Sequence, residues 1–343
     1  MNFTITKVQL FLMLFFRTTG ITFIAYSEVI IHAGGRDSWI MFLVSAVFVF
    51  IQLCLYEKFH KYFKLGKLTQ WIFIIFWVLL LICSFIYMQY TLSIWVEQKT
   101  PNSITLLIML FISFYISVSR PSTAVNMPVF LIPFVFIFVF FLMYSAPQLS
   151  FSHIFPIGTS TEYQWIKGTL FSLASFTGLE GYLVLRKYVL TEDKIRFKDI
   201  LIYQLIITLF IAFIIIIVEM FFAKASLPYL TEPVLYILKS IEVTFVKRLD
   251  IFFLYMWLAW SIISCSLIVF NIRIVYFQKE RKHPKLAMAV LHILLFIGSI
   301  GFLNIRSVEF IRDNFPYLYI PITVLLSIIV IWKNKRRDTK CVK

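Results

Sequence analysis

The chain has 343 residues, of which 61% are hydrophobic, 19% aromatic and only 14% charged, with a formal net charge of +15. No water-soluble domain of this length has such a composition, so the sequence predicts an all-α polytopic membrane protein with a single transmembrane domain over residues 1–343. The excess of basic residues, 32 Lys and Arg against 17 Asp and Glu, would suggest nucleic acid in a soluble protein. Here most of it lies in short loops, where it sets orientation across the bilayer, and we expect no nucleic-acid partner.

Apolar runs separated by charged or Pro- and Gly-containing segments predict ten membrane spans. They cover residues 8–31, 39–56, 71–96, 103–119, 128–145, 168–190, 200–223, 250–277, 285–304 and 316–332, followed by a basic tail over 333–343. The first run is too long for a cleavable signal peptide and contains Arg17. The four cysteines have no paired spacing, and three lie within spans. We therefore expect no disulfide framework, no metal site and no cofactor.

The basic residues of the loops predict the orientation. With the N-terminus placed in the cytoplasm, the inner segments and the tail hold twenty-two Lys and Arg residues and the outer segments hold nine. This asymmetry predicts that both termini are cytoplasmic. Residues 57–70, 191–199 and 278–285 are then inside, and residues 146–167 and 224–249 are outside.

The first predicted span is interrupted by polar residues near its middle. Arg17 is followed by Thr18, Thr19, Gly20 and Thr22, a run that predicts a break in the helix and a set of free backbone groups. Arg17 either pairs with an acidic group at that depth or extends to the cytoplasmic headgroups. Glu28 and Glu219 lie near the outer ends of their spans and are predicted to be interfacial.

The sixth predicted span has a second interruption. Gly178 and Gly181 bracket Glu180, with Thr177 just before them. Each glycine in the middle of a spanning helix costs about 1 kcal/mol of helix stability relative to alanine. The charge of a carboxylate at that depth costs about 3 kcal/mol of insertion free energy. Either the helix breaks here, or it is continuous, with glycines for close packing and a Glu in a structural pair. The simplest hypothesis pairs Glu180 with Arg17.

Two further spans carry polar and aromatic residues that are predicted to line a site between the interrupted helices. Tyr87 and Tyr90 lie in the third span, and Trp260, Ser261 and Ser264 in the eighth. Ordinary packing is the alternative for all of them. Between the seventh and eighth spans, apolar residues at helical spacing after Pro233 predict an amphipathic helix on the outer face, which either caps the bundle or acts in gating.

Interruptions in the first and sixth spans fall in helices that run in opposite directions. This is the arrangement of a five-plus-five inverted repeat of the LeuT type, with repeat one at about 8–145 and repeat two at about 168–332. Half-helix ends at such breaks offer amides to a carboxylate and carbonyls to an ammonium group, so an amino acid is a natural ligand. The predicted ligand-binding residues are Thr18, Thr19, Gly20, Thr22, Thr177, Gly178, Glu180 and Gly181. No catalytic spacing or nucleotide loop is present in the sequence, and we expect no enzyme.

Four ordered segments carry a resemblance to a known family. They are Ile5-Thr6-Lys7-Val8-Gln9-Leu10, Ala33-Gly34-Gly35-Arg36-Asp37-Ser38-Trp39, Phe176-Thr177-Gly178-Leu179-Glu180, and Pro233 with Lys239-Ser240-Ile241-Glu242 and Arg248-Leu249-Asp250. Together they resemble the spore germination permease family, the B subunits of nutrient germinant receptors, over essentially the whole chain. That family belongs to the amino acid–polyamine–organocation transporter superfamily.

The resemblance implies a sensor in the inner membrane of a bacterial endospore. Such a subunit binds a small nutrient and assembles with an A subunit and a lipoprotein C subunit. The alternative is a secondary amino acid transporter of the same fold, driven by protons or sodium. A transporter needs a path for its coupling ion, for which Glu180 is a candidate, whereas a sensor needs only different affinities for the ligand in two conformations.

Overall fold

A computed structural model describes residues 3–97, 99–223, 226–241, 248–277 and 284–341. It is a bundle of helices, and the described residues contain no β-strand, only an isolated bridge between Ile5 and Val189. The α-helices are α1 (Lys7–Gly34), α2 (Ser38–Phe59), α3 (Lys67–Trp95), α4 (Asn102–Val118), α5 (Pro121–Tyr144), α6 (Glu162–Ala174), α7 (Gly181–Leu185), α8 (Phe197–Phe221), α9 (Pro233–Ser240), α10 (Leu249–Tyr276), α11 (Pro284–Ile300), α12 (Ile305–Ile320) and α13 (Ser327–Cys341).

Six helical stretches of the described chain are long and apolar enough to cross a membrane, judged by length and composition. They are Ile24–Tyr62, Lys67–Trp95, Pro121–Gln148, Phe197–Phe221, Leu249–Tyr276 and Arg306–Asp338, and Asn102–Val118 and Pro284–Ile300 are shorter apolar helices. Every predicted span overlaps a helix, which confirms the all-α polytopic class, while the number of ten crossings stays a prediction. Beyond α12, a π-helical stretch, Pro321–Leu326, leads into α13, so the basic tail continues the last helix through Cys341.

Two helices begin with the same local signal. The side-chain oxygen of Thr6 accepts from the backbone N–H of Gln9, and the Gln9 side chain accepts from the N–H of Thr6. Thr161 and Gln164 make the same reciprocal pair at the start of α6. Each capping box satisfies two of the backbone donors that a helix start leaves unpaired, so the sequence itself fixes where α1 and α6 begin.

The segments predicted to be cytoplasmic contact one another at one end of the bundle, which we call the basic end. The N–H of Ile5 donates to the carbonyl of Tyr188 at 2.9 Å, and the N–H of Leu190 donates to the carbonyl of Ile5 at 3.0 Å. Asn334 of α13 donates to the carbonyl of Tyr62 at 2.9 Å. The N-terminus, the segment after α7, the end of α2 and the last helix therefore meet there.

At the opposite end, the predicted outer segments fold onto the bundle. The Asp37 carboxylate accepts from the N–H groups of Gly158 and Ser160 at 2.7 and 3.0 Å, which ties residues 146–161 to the turn between α1 and α2. The predicted amphipathic helix is α9, with Val234, Leu235, Ile237 and Leu238 buried. Its predicted continuation over 242–247 lies outside the described residues.

Candidate functional site

The sixth predicted span is interrupted. α6 ends at Ala174, residues 175–180 form successive turns, and α7 begins at Gly181. N–H groups in this stretch donate three residues back, as from Thr177 to Ala174 at 3.1 Å and from Gly181 to Gly178 at 3.0 Å. Gly178 has φ +112°, a conformation open to glycine but rarely to other residues. Gly178 is therefore required where the chain changes from helix to turns.

The first predicted span is not interrupted, and the expected break at Thr18–Thr22 is wrong. α1 is continuous from Lys7 to Gly34. The hydroxyl of Thr19 donates to the Phe15 carbonyl at 2.7 Å, and that of Thr22 donates to the Thr18 carbonyl. Bonds of this kind satisfy polar side chains within a continuous helix, so the polar run needs no opening of the backbone.

Gly20 has a packing role instead. A Cβ added to Gly20 would lie 2.3 Å from the Cβ of Ser264, so α10 crosses α1 at a distance that only glycine permits. The hydroxyl of Ser264 donates to the Arg17 carbonyl at 2.8 Å, and that of Ser261 donates to the Gly20 carbonyl at 2.5 Å. These predicted lining residues join the two helices.

A buried ion pair connects α1 to the interruption after α6. The Nη2 atom of Arg17 lies 2.5 Å from Oε1 of Glu180, and their side chains are 1% and 0% exposed. Glu180 also accepts from Nε1 of Trp77 at 2.9 Å and from the N–H of Gly178 at 3.1 Å. The guanidinium lies 5.6 Å from the centre of the Trp77 ring. The predicted pairing is observed, and Glu180 has donors for both of its oxygens.

The two glycines beside Glu180 make room for the arginine. A Cβ at Gly181 would lie 2.2 Å from Nη1 of Arg17 and 2.8 Å from Nδ2 of Asn271, and a Cβ at Gly178 would lie 3.0 Å from Cγ of Arg17. Asn271 is fully buried on α10. Any side chain at position 181 would displace the guanidinium.

A cavity of about 80 Å³ lies beside this pair, between α1, α3, α10, α12 and the interruption. A space of this size holds several water molecules or one small solute. Its polar lining comprises Arg17, Thr22, Ser84, Tyr87, Thr177 and Arg312, and its apolar lining comprises Ala25, Tyr26, Leu80, Cys83, Ile86, Ile268, Val308, Ile311 and Phe315. It is therefore a mostly apolar space with an arginine from each of two helices.

The structure brings four of the predicted site residues together at this cavity: Arg17, Thr22, Thr177 and Tyr87. The other predicted residues, Thr18, Thr19, Gly20, Gly178, Glu180, Gly181, Tyr90, Trp260, Ser261 and Ser264, are not among those that line it. Trp260 packs against the rings of Phe15 and Phe16. The hydroxyl of Thr177 donates to the Ala174 carbonyl at 2.5 Å, which leaves its oxygen lone pairs available to accept a hydrogen bond.

At the end of the bundle opposite the basic end, a second ion pair adjoins the cavity. Nη1 of Arg312 on α12 donates to Oε1 of Glu28 on α1, and Oε2 of Glu28 accepts from the N–H of Glu232 at 3.1 Å. Glu28 is 3% exposed and Glu219 is 0% exposed, so the expectation that both are interfacial is wrong. The segments predicted to be outside fold over these helix ends and bury both carboxylates.

Glu232 itself has an unusual conformation. It has φ +58° and ψ +58°, the left-handed region, immediately before Pro233. It is the sole non-glycine residue with positive φ in the described chain. Its buried carboxylate accepts from the Thr91 hydroxyl and, at 2.6 Å, from Nε1 of Trp95. Burial raises the pKa of Glu232 to about 7. Strained backbone of this kind collects at functional sites, and no signal in the sequence identified this residue.

At the basic end, a third ion pair holds α2 to the segment after α7. Arg186 donates to both oxygens of Glu57, at 2.7 and 2.9 Å, and the hydroxyl of Tyr182 donates to the same carboxylate at 2.6 Å. The bidentate geometry is the strong form of an Arg–carboxylate contact. Ion pairs thus join α1 to α12 at one end of the bundle and α2 to the segment after α7 at the other.

Two comparisons with known proteins identify the family. The sequence model of the spore permease family, described as "Spore germination protein", matches residues 4–305. Spore germination protein XB of Bacillus anthracis is 26% identical over 360 residues, which cover 96% of this chain and 98% of that protein. Both matches span the ion pair of Arg17 and Glu180. The long apolar helices and the match over most of the chain lead to one conclusion: the protein is an integral membrane protein that belongs to the spore germination protein family.

Proposed function

We propose that this chain is the B subunit of a nutrient-germinant receptor and that it binds a small nutrient, an amino acid, to trigger germination of the spore. The cavity beside the interruption after α6 is the observation that carries the proposal. It combines an apolar wall, which includes Leu80, Ile268 and Phe315, with two guanidinium groups and several hydroxyls. Ligand sites in proteins are typically apolar spaces with a few placed polar groups, and this combination suits a small molecule with an aliphatic body and a charged head.

The helix packing supports the proposed inverted repeat. If α1 to α5 are exchanged with α6/α7, α8, α10, α11 and α12 in that order, four contacts have counterparts. α1 packs on α8 as α2 packs on α6, and α4 packs on α10 as α3 packs on α11. Likewise α1 packs on α5 as α6 packs on α12, and α5 packs on α10 as α3 packs on α12.

The capping boxes give the same correspondence at the level of residues. Aligned on the capping residues Thr6 and Thr161, Thr22 and Thr177 occupy equivalent positions. Both line the cavity. An inverted repeat places its ligand where the first helices of the two halves meet, and this cavity lies where α1 meets the end of α6.

We further propose that the basic end faces the cytoplasm, with both termini inside, in the inner membrane of the spore. The proposal is supported by the twenty-two to nine distribution of Lys and Arg and by the contacts among those segments. The A subunit and the lipoprotein C subunit of a germinant receptor are the proposed partners. Copurification of the chain with both subunits from spore membranes tests that assembly.

The test of nutrient binding uses spores that carry single substitutions. Ala25→Leu fills part of an 80 Å³ cavity and should raise the nutrient concentration needed for germination, with the protein present at its normal level. Ala289→Leu makes the same change at a half-buried position on α11 away from the cavity, and it should leave the response unchanged. A panel of amino acids, tested against a strain that lacks the gene, identifies the nutrient. A normal response from Ala25→Leu spores would contradict binding in this cavity.

The alternative of a secondary transporter is favoured by one observation. Ion pairs lie at both ends of the bundle, Glu28 with Arg312 and Glu57 with Arg186, and a carrier must open each end in turn. Uptake of labelled amino acid by proteoliposomes that contain only this chain would support transport. Germination that requires the chain, with no such uptake, would support the receptor.

A further inference from the structure

Two arginines line the cavity, and they differ in how tightly their acidic partners hold them. Glu180, the partner of Arg17, is 0% exposed and accepts two further hydrogen bonds, from Trp77 and Gly178. That pair is buried, but Arg17 also lines the cavity, and its Nε and Nη1 atoms have no hydrogen-bond partner in the described structure. Arg312 is 20% exposed; it is held by one oxygen of Glu28 and lies 3.7 Å from the exposed carboxylate of Asp313. Of the two guanidinium groups, Arg312 is the one that an entering ligand can take from its partner.

Glu28 has other groups to bond when it leaves Arg312. Its second oxygen already accepts from the N–H of Glu232, and Nδ1 of His32, one turn along α1, lies 3.9 Å from its first oxygen. Because Nε2 of His32 donates to the Leu227 carbonyl, Nδ1 can donate to Glu28 only when the ring is protonated. A buried carboxylate that loses its partner is strongly destabilised unless another donor takes over. Glu28 therefore keeps the hydrogen bond from Glu232 when it leaves Arg312.

We propose that Glu28 is a built-in competitor of the nutrient: it occupies Arg312 in the ligand-free protein, and the carboxylate of the bound nutrient replaces it there. This inference rests on the proposed function, because it assigns the group that recognises the nutrient in the same cavity. The ligand class is a small molecule that carries a carboxylate, with its aliphatic side chain against Ile268, Ile311 and Phe315, which line the same space.

The exchange also connects the cavity to the outer helix α9. Glu28 holds the backbone N–H of Glu232, the residue that precedes α9 in a left-handed conformation. A displacement of Glu28 from Arg312 moves the carboxylate that also holds the residue before α9. Occupation of the cavity is thus transmitted to an outer segment through one side chain, by differential contacts in the two states.

The test measures the binding of L-alanine, L-valine and L-leucine, and of their primary amides, to the purified full chain in nanodiscs by calorimetry. The wild-type protein should prefer the acid to the amide. Arg312→Gln should weaken binding of the acid by roughly 10- to 100-fold, the effect of losing a hydrogen bond to a charged group, and should abolish the preference for the acid. Arg306→Gln, an exposed position on the same helix, is the matched control and should bind as the wild type does.

The decisive variant changes affinity in the opposite direction. Glu28→Gln removes the competing charge and should tighten binding of the acid by roughly 3- to 10-fold, because the fraction of protein with a free Arg312 rises. It should not tighten binding of the amide. The double variant Glu28→Gln, Arg312→Gln leaves neither charge alone. It should bind like Arg312→Gln while keeping a normal unfolding temperature, which separates recognition from misfolding.

Three other results would each contradict a different part of the proposal. If Glu28→Gln weakens binding of the acid as much as Arg312→Gln does, the pair is structural and the inference is wrong. If Arg312→Gln still prefers the acid, Arg312 does not recognise the carboxylate. If none of the three acids binds the wild-type chain, the proposed function fails for aliphatic amino acids, and the inference fails with it.

Discussion

The ion pair between Arg17 and Glu180 allows a quantitative test of why the site holds together. Glu180→Gln keeps the shape of the side chain and removes its charge, which leaves the guanidinium of Arg17 unpaired at 1% exposure. Breaking a buried pair by removing one partner costs about 3–5 kcal/mol. Arg17→Gln should cost a similar amount, because it strands the carboxylate. If the two effects were independent, the double variant would lose about 6–10 kcal/mol, more than many proteins have.

We expect the double variant to be more stable than either single variant. Two glutamines leave no buried charge, and the amide that replaces the Glu180 carboxylate keeps one acceptor oxygen, which serves either Trp77 or Gly178. The loss should then be about 2 kcal/mol, which gives a coupling energy of more than about 4 kcal/mol between the two positions.

Reversible unfolding in mixed micelles of increasing denaturing detergent measures these free energies, and membrane abundance in vivo should follow the same order. Two results would refute the reasoning. Additive effects of the single changes would show that the groups do not act as a pair. Single variants with wild-type stability would show that neither charge is as strongly desolvated as its burial indicates.

Three further predictions concern the glycines, the outer segment and the orientation. Gly181→Ala should lower the unfolding temperature in detergent, because its Cβ would lie 2.2 Å from the buried guanidinium, whereas Gly301→Ala, where nothing lies within 4 Å, should not. Because burial raises the pKa of Glu232 from 4.5 to about 7, the folded state prefers its protonated form. The contribution of Glu232 to stability should then be greatest below pH 4.5 and should fall by about 3 kcal/mol as the pH rises from 4.5 to 7, a loss that Glu232→Gln should remove. A cysteine that replaces Tyr229, 87% exposed in the outer segment, should react with an impermeant maleimide from outside in a protein without other cysteines. Labelling only after permeabilisation would reverse the proposed orientation.

The sequence predicts some features of the site because their causes are local. Apolar runs locate the helices, and two glycines around a carboxylate locate the interruption at 175–180. The pairing of Arg17 with Glu180 follows from a general requirement, since a charge at that depth needs a partner, and these are the two charged residues nearest mid-depth in the first and sixth predicted spans.

Other features depend on residues that are distant in the chain. Gly20 looks like a helix break until Ser264 is placed against it. Glu28 looks interfacial because depth along a helix shows nothing about the segments that fold over its end. Arg312 and Glu232 reach Glu28 from positions 284 and 204 residues away. No periodicity or local motif reports such contacts, so the outer network becomes visible only in the folded protein.

The separation of 163 residues between Arg17 and Glu180 has a consequence for biosynthesis. Synthesis at about 5–20 residues per second takes roughly 10–30 s to cover that distance, so α1 enters the bilayer long before its counter-ion exists. During that interval Arg17 carries the cost of an unpaired charge in a membrane, about 3 kcal/mol on insertion scales. Its long side chain reduces this cost by reaching towards the cytoplasmic headgroups. We therefore expect the first helix to reach its final depth only after the sixth predicted span has been inserted, and a nascent chain arrested before Glu180 should hold α1 in a shallower position than the finished protein does.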